Sequence, residues 1–342
     1  MQRSRSIDCL KGLLIIWVII LHFPFEIVEV RKYLFPFTVI LAVPCFMMIS
    51  GYVSSVAFEN RKILKIEAAY NKAVVLKKII RYTIPYTMAF IMEWIVFRIF
   101  NVFQVNIKTY GILAVTMDYI RGGYGQGSYY YPIMIQFIFV FPFIYFLIKK
   151  YQWKGLVYAF LLNAGYEILK CAYGMNDGFY RLLIFRYLFI IAAGCYFAMV
   201  KIQRNYRSII IGVGSVVAGM GFIYLFSYAT YSPKIITYWS STSFVVCLFV
   251  IPILGWLLQK GRLACKPLEV VGKASFNIFL VQMIYYNFAD SMYEMIEGRS
   301  AQLVFNIVNC VVAGVAFYYL EKPVTHFVIN KCIPRTEFDH QQ

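Results

Sequence analysis

The feature that most limits the fold is a succession of ten largely apolar runs. They fall near residues 11–29, 35–57, 80–103, 129–148, 154–172, 180–200, 208–228, 239–258, 270–289 and 302–320. Each approaches the roughly twenty residues an α-helix needs to cross about 30 Å of hydrocarbon. A chain of 342 residues encloses too little interior to hide ten such segments from water. Hydrophobic residues make up 61% of the chain and charged residues 14%, against about 25% charge in soluble domains. Much of the surface must therefore face lipid. The expectation is an all-α, polytopic integral membrane protein, a single transmembrane domain over residues 1–342 with about ten transmembrane helices.

The formal charge of +17, from 33 Lys and Arg against 16 Asp and Glu, would point to nucleic acid in a soluble chain. Here the basic residues gather in alternate short loops, as the positive-inside rule describes, so no nucleic-acid partner is expected. The densest group runs from Arg61 and Lys62 through Lys77, Lys78 and Arg81, on the side of the N-terminal Arg3, Arg5 and Lys11. Ten spans and this asymmetry predict that both termini are cytoplasmic. Residues 1–21 imitate a signal peptide, but no small-x-small cleavage site follows, which predicts an uncleaved first span. The eight cysteines show no CxxC spacing and read as small buried hydrophobes.

Familiar catalytic signatures are missing. There is no HExxH, no Cys/His cluster and no GxSxG elbow, so neither a metal nor a bound cofactor is expected. The glycine-rich "RGGYGQGS" at 121–128 lacks the GK[ST] of a phosphate-binding loop and reads as a flexible turn.

Chemistry must then come from polar groups inside the bundle, which are costly in lipid. The first run, "KGLLIIWVIILHFPFE", is the densest. At about 100° per residue, Lys11 and His22 differ by only about 20° around a helix, with Asp8 and Glu26 each about 40° from His22. All four share one stripe, and the Lys11–His22 rise of roughly 16 Å puts the imidazole near mid-membrane. Histidine is suited to taking a proton from a hydroxyl near neutral pH, and Glu26 stands where it can orient the ring. An interhelical hydrogen bond that locks packing satisfies the same residues.

At this point the chain resembles a family. "RSRSIDCLKGLLIIWVIILH" (3–22) resembles the opening of the acyltransferase-3 integral membrane acyltransferases, with an Asp, a basic residue three positions later, ten residues and a histidine. These are Asp8, Lys11 and His22, with lysine where many members have arginine; the sugar O-acetylase branch looks most similar. "CFMMISGYVSS" (45–55), "KKIIRYTIPY" (77–86), "GSYYYPIMIQFIFVFPFIYF" (127–146), "FRYLFIIAAGCYFA" (185–198), "VGKASFNIFLVQ" (271–282) and "YLEKP" (319–323) are similar to further family segments in the same order. Gln282 departs from the pattern, since many members have histidine there.

The resemblance implies a bacterial inner-membrane O-acyltransferase. It would move an acyl group, usually acetyl, from cytosolic acetyl-CoA (acyl-CoA as co-substrate) to a hydroxyl of a cell-envelope carbohydrate or lipid-linked saccharide. By that analogy His22 is the general base, Lys11 and Arg81 bind acyl-CoA, and Asp8 orients Lys11. Glu93, Arg98, Asn163, Glu167 and Arg186 sit in or near spans; Asn163, Glu167 and Arg186, with Tyr130, are candidates for the acceptor pocket. An internal Glu167–Arg186 ion pair and an interfacial tyrosine belt are the structural alternatives. Two rival functions are a transporter or flippase for an envelope precursor and a non-catalytic homologue. No inverted repeat supports the first, and retention of Asp8, Lys11 and His22 together opposes the second.

Overall fold

The computed structural model describes residues 5–100, 111–125, 127–202, 205–229, 244–293 and 296–333, within which nothing is said of the side chains of 98–100 and 291. The tail of the expected third span (101–103), the start of the eighth (239–243) and the Arg98 side chain lie outside the described residues.

The chain is all-α and polytopic: among the described residues it forms helices and no strand. In order these are α1 (Arg5–His22), α2 (Ile27–Lys32), α3 (Ala42–Asn60), α4 (Ile66–Ala69), α5 (Lys72–Phe100), α6 (Ile112–Arg121), α7 (Tyr130–Tyr151) and α8 (Trp153–Tyr173). Then follow α9 (Asp177–Leu182), α10 (Leu188–Met199), α11 (Tyr206–Ser227), α12 (Cys247–Lys260), α13 (Lys266–Lys273), α14 (Ser275–Tyr285), α15 (Ala289–Tyr293) and α16 (Arg299–Cys332).

Four of the described segments, Phe35–Asn60, Tyr130–Tyr151, Tyr206–Ser227 and Arg299–Cys332, are both long and apolar enough to cross a membrane. The pair α13–α14, bent by 70° at its break, would make a fifth. The other expected spans differ from unbroken apolar rods for identifiable reasons. α1 carries Arg5, Asp8 and Lys11 in its first two turns and stops at His22, seven residues before the expected end. Pro24 explains the stop, because it disfavours helical backbone at Phe23. The expected span at 180–200 is α9, a 3-10 turn at Ile184–Tyr187, and α10.

The interior is built by α1, α3, α7, α10 and α14, whose buried residues include Ile15, Ile19, Met47, Ile49, Phe141, Ile191 and Ile278. α11 is the opposite case, with Ile209, Ile211, Val213 and Val217 all exposed. That face fits lipid as its solvent.

Two glycines set the α1–α13 crossing. A Cβ at Gly12 would lie 2.3 Å from the Leu268 carbonyl oxygen, and one at Gly272 would lie 1.8 Å from that of Asp8. Backbone therefore meets backbone at this crossing, the close approach small residues allow in membrane helices. It brings Lys11, one residue before Gly12, beside the bend that opens α14.

Candidate active site

The bend leaves a space. Lys11, Ile15 and Val18 of α1, Val43, Phe46 and Ser50 of α3, Tyr82 of α5, Tyr130 and Met134 of α7, and Ser275, Phe276 and Phe279 at the start of α14 enclose a cavity of about 100 Å³. The three α1 residues precede His22 by eleven, seven and four positions, which puts them on its face of the helix. Along α1 the cavity thus extends from Lys11 to Val18, one turn before His22, between walls that are mostly apolar. Tyr130 belongs to this wall, beside Phe279 (ring centroids 4.9 Å apart), rather than with Glu167 and Arg186.

His22 is the last residue of α1 and is held on several sides. Gln282 Nε2 lies 3.1 Å from His22 Nδ1. The Tyr286 ring meets the imidazole edge-on at 5.9 Å, while its hydroxyl donates to the Ile19 carbonyl at 2.6 Å. Gly127 covers another side at φ +87°; a Cβ there would be 3.5 Å from His22 Cε1 and 3.2 Å from the Phe279 ring. A side chain at 127 would wedge between the His22 imidazole and the cavity wall.

The glycine-rich segment is more than a turn. Buried Glu93 of α5 accepts from the Tyr124 backbone N–H at 3.3 Å and from Asn287 Nδ2 at 3.3 Å. Asn287 in turn donates to the Met283 carbonyl at 2.8 Å, one residue beyond Gln282. Gly125 packs against the Met283 backbone so closely that a Cβ would approach its oxygen to 2.5 Å. A carboxylate and an amide therefore seat the glycine segment over the end of α1. Gln126, within it, lies outside the described residues.

Glu26 is not a partner of His22. Because α1 has ended, Glu26 leaves the stripe and begins α2, where its backbone N–H donates to Glu29 at 2.9 Å. Its exposed carboxylate instead faces Arg299, 3.8 Å away. The group on the His22 ring is the neutral amide of Gln282.

At the other end, Asp8 is buried at the α1–α13 crossing. Arg81 is exposed and adjoins Tyr82 of the cavity wall. Arg61, Lys77, Lys78 and Arg81 lie within electrostatic reach of one another. Lys78 sits 5.1 Å over the Phe58 ring. Burial, with repulsion from Arg61, pushes its ammonium down to about 8. The arrangement is a basic face beside the mouth of the cavity.

Glu167, Asn163 and Arg186 form a separate cluster around α8 and the 3-10 turn. The Tyr180 hydroxyl donates to Glu167 at 2.5 Å, and the Phe189 backbone N–H donates to Asn163 Oδ1 at 3.3 Å. The alternative of a Glu167–Arg186 ion pair is met only in part: the two charges interact through space, no contact within 4 Å joins them among the described residues, and Arg186 is surrounded by the rings of Tyr187, Tyr180 and Tyr129, at 4.8, 5.0 and 5.8 Å.

Sequence reasoning missed Gln282, Tyr286 and Asn287 as neighbours of the site. Their four-to-five-residue spacing at the end of an apolar helix was the available signal, and Gln282 was visible only as a departure from a family pattern.

A family model described as an acyltransferase domain matches residues 4–320. Neither the curated proteins nor the solved structures contain a significant match to the chain. The match covers nearly the whole chain, including the α1 stripe, the cavity and the glycine segment. This membrane protein belongs to the acyltransferase-3 family.

Proposed function

We propose that this protein is a bacterial inner-membrane O-acyltransferase with both termini cytoplasmic. It moves an acetyl group from cytosolic acetyl-CoA to a hydroxyl of a cell-envelope glycan or lipid-linked sugar. One observation carries the reading: Lys11, Ile15 and Val18 line a cavity that ends one turn below His22. A basic entrance suits the phosphates of CoA, and an apolar passage suits an acyl-pantetheine arm. The roughly 16 Å rise from Lys11 to His22 is comparable with that arm's reach.

In this mechanism the acceptor hydroxyl gives its proton to His22 Nε2 as its oxygen attacks the thioester carbonyl. The C–S bond then breaks, the CoA thiolate takes the proton from the imidazolium, and the ester remains on the acceptor. His22 must expose a lone pair at Nε2, so Nδ1 must carry the ring proton and needs an acceptor. Gln282 can supply one. With its nitrogen on Nδ1 it favours the other tautomer; turned end for end, it offers Oε1 to Nδ1–H. Oε1 has no other hydrogen-bond partner, so the exchange breaks no further bond. An amide can serve the ring in every protonation state without titrating itself.

The test uses purified protein in nanodiscs, radiolabelled acetyl-CoA and a panel of envelope glycans. The His22→Ala protein should lose transfer by at least about a hundredfold, the low end for a general base. Full label transfer by His22→Ala would falsify the mechanism. Lys11→Ala should raise the acetyl-CoA concentration required and leave acceptor use unchanged; the reverse pattern would remove Lys11 from the donor side.

A further inference from the structure

Arg186 stands in the 3-10 turn Ile184–Tyr187, partly exposed, among Tyr129, Tyr180 and Tyr187. Tyrosine rings attract the face of a guanidinium, whereas its five N–H donors lie in the plane and need acceptors. Among the described residues none accepts a hydrogen bond from Arg186, and no carboxylate is ion-paired with it. Of the two acids nearby, Glu167 accepts from Tyr180 at 2.5 Å and Asp177 pairs with Lys170 at 2.8 Å, and each meets Arg186 through space without a direct contact. A second spare donor lies close in the chain fold. Asn163 is fully buried and its Oδ1 is bonded to the N–H of Phe189, three residues after Arg186, yet its Nδ2 has no partner. The unpaired guanidinium donors and the spare Asn163 amide together suit an oxyanion, the charge-assisted partner of arginine.

The cluster is coupled to the base by a short piece of backbone. Gly127 backs onto His22 and Tyr129 onto Arg186. Two residues of chain hold the Gly127 and Tyr129 Cα atoms within about 7 Å, so both groups are carried on one loop that an oligosaccharide can follow.

We propose that Arg186 binds an oxyanion on the acceptor, a uronic-acid carboxylate or a glycosyl phosphate, and thereby selects acidic acceptors and aligns their hydroxyl with His22. This rests on the acyl-transfer reading above and narrows its substrate class. The tyrosine cage fixes the guanidinium plane, so that the edge carrying the donors is presented to the ligand.

Binding is measured without turnover, on the full chain in nanodiscs of zwitterionic lipid. The probes are a uronic-acid oligosaccharide, its carboxyl-reduced counterpart and a polyprenyl-phosphate-linked sugar. Wild-type protein should bind one or both anionic probes at least tenfold more tightly than the reduced one, and the better probe identifies the oxyanion. Arg186→Gln should abolish the preference while acetyl-CoA binding is retained, and Arg186→Lys should keep part of it. No preference in the wild type overturns the proposal, and this holds even if the variants do not fold. A preference that persists in Arg186→Gln overturns it equally. Because no acyl transfer is read, a protein that prefers anions but transfers no label would refute the acyltransferase mechanism and leave the subsite standing.

Discussion

Replacing Gln282 by leucine separates the two roles a buried amide can have, in stability and in catalysis. The side chain is wholly buried and makes one hydrogen bond among the described residues, 3.1 Å to His22 Nδ1, while Oε1 has no partner. Losing the hydrogen bond leaves His22 Nδ1 without a partner and costs about 1–3 kcal/mol; removing the unsatisfied buried acceptor returns a similar amount. The two terms cancel to within their size, so thermal stability should change little. Activity should fall. Without a partner on Nδ1 the ring loses its fixed plane and tautomer, and each 1.4 kcal/mol of lost transition-state stabilisation is about tenfold in rate. We expect kcat to fall about ten- to a hundredfold with the acetyl-CoA KM unchanged, read by release of free CoA thiol with and without acceptor glycan. Gln282→His retains a group able to donate or accept and should recover most of the rate. A leucine variant with wild-type kcat would refute the assigned role of the amide, as would one that loses rate only in proportion to lost folded protein.

Three further outcomes follow from the geometry. Gly127→Ala forces a side chain into positive φ at a cost of about 1–2 kcal/mol and crowds both His22 and Phe279; kcat should fall more than Tm, and an alanine enzyme of full activity would show that the segment does not confine the base. Gly272→Ala drives a methyl into the Asp8 carbonyl, an overpacking of about 1–3 kcal/mol or more; thermal unfolding in detergent should shift downward, and an unchanged midpoint would mean the α1–α13 crossing is looser than drawn. Lys78, held down to about 8 against the ordinary 10.5, is largely charged at pH 7 and largely neutral by pH 9. CoA binding by calorimetry should therefore weaken as pH rises through 8, by up to about tenfold if one charge-assisted hydrogen bond of about 1.5 kcal/mol is lost. Lys78→Arg should flatten that dependence, and a wild-type affinity constant from pH 7 to 9 would exclude Lys78 from the donor site.

Helical class was readable from the apolar runs, because lipid imposes one composition on every helix it touches. The α1 stripe was readable as far as Lys11 and His22, since both lie within one regular helix and geometry follows from spacing alone. The same reasoning failed at Glu26, where Pro24 ended the helix and with it the periodicity. Gln282 was out of reach for a different reason. It meets His22 across 260 positions of sequence through a 70° bend between α13 and α14, and no local pattern encodes that angle. The glycine segment is a turn, as its composition indicates, but composition reports what a backbone is free to do, while its position is decided by Glu93, some thirty residues upstream. Several family segments acquired physical reasons: Gly272 permits the crossing, Ser275 lines the cavity, and Gln282 meets the base.

The early end of α1 has a consequence for the backbone that follows it. From Lys11 to His22 the helix covers roughly 16 Å, about half of the hydrocarbon layer. Its last carbonyls and the non-helical backbone of residues 23–26 then lie at a depth where lipid offers no hydrogen bonds. Such backbone is tolerated only against protein or along a hydrated recess. Here protein meets it: the Ile19 carbonyl accepts from the Tyr286 hydroxyl, that of Ile20 from the Phe23 N–H, that of Phe23 from the Phe25 N–H and that of Pro24 from Arg299, so Tyr286 and Arg299 tie off the end of α1 inside the fold.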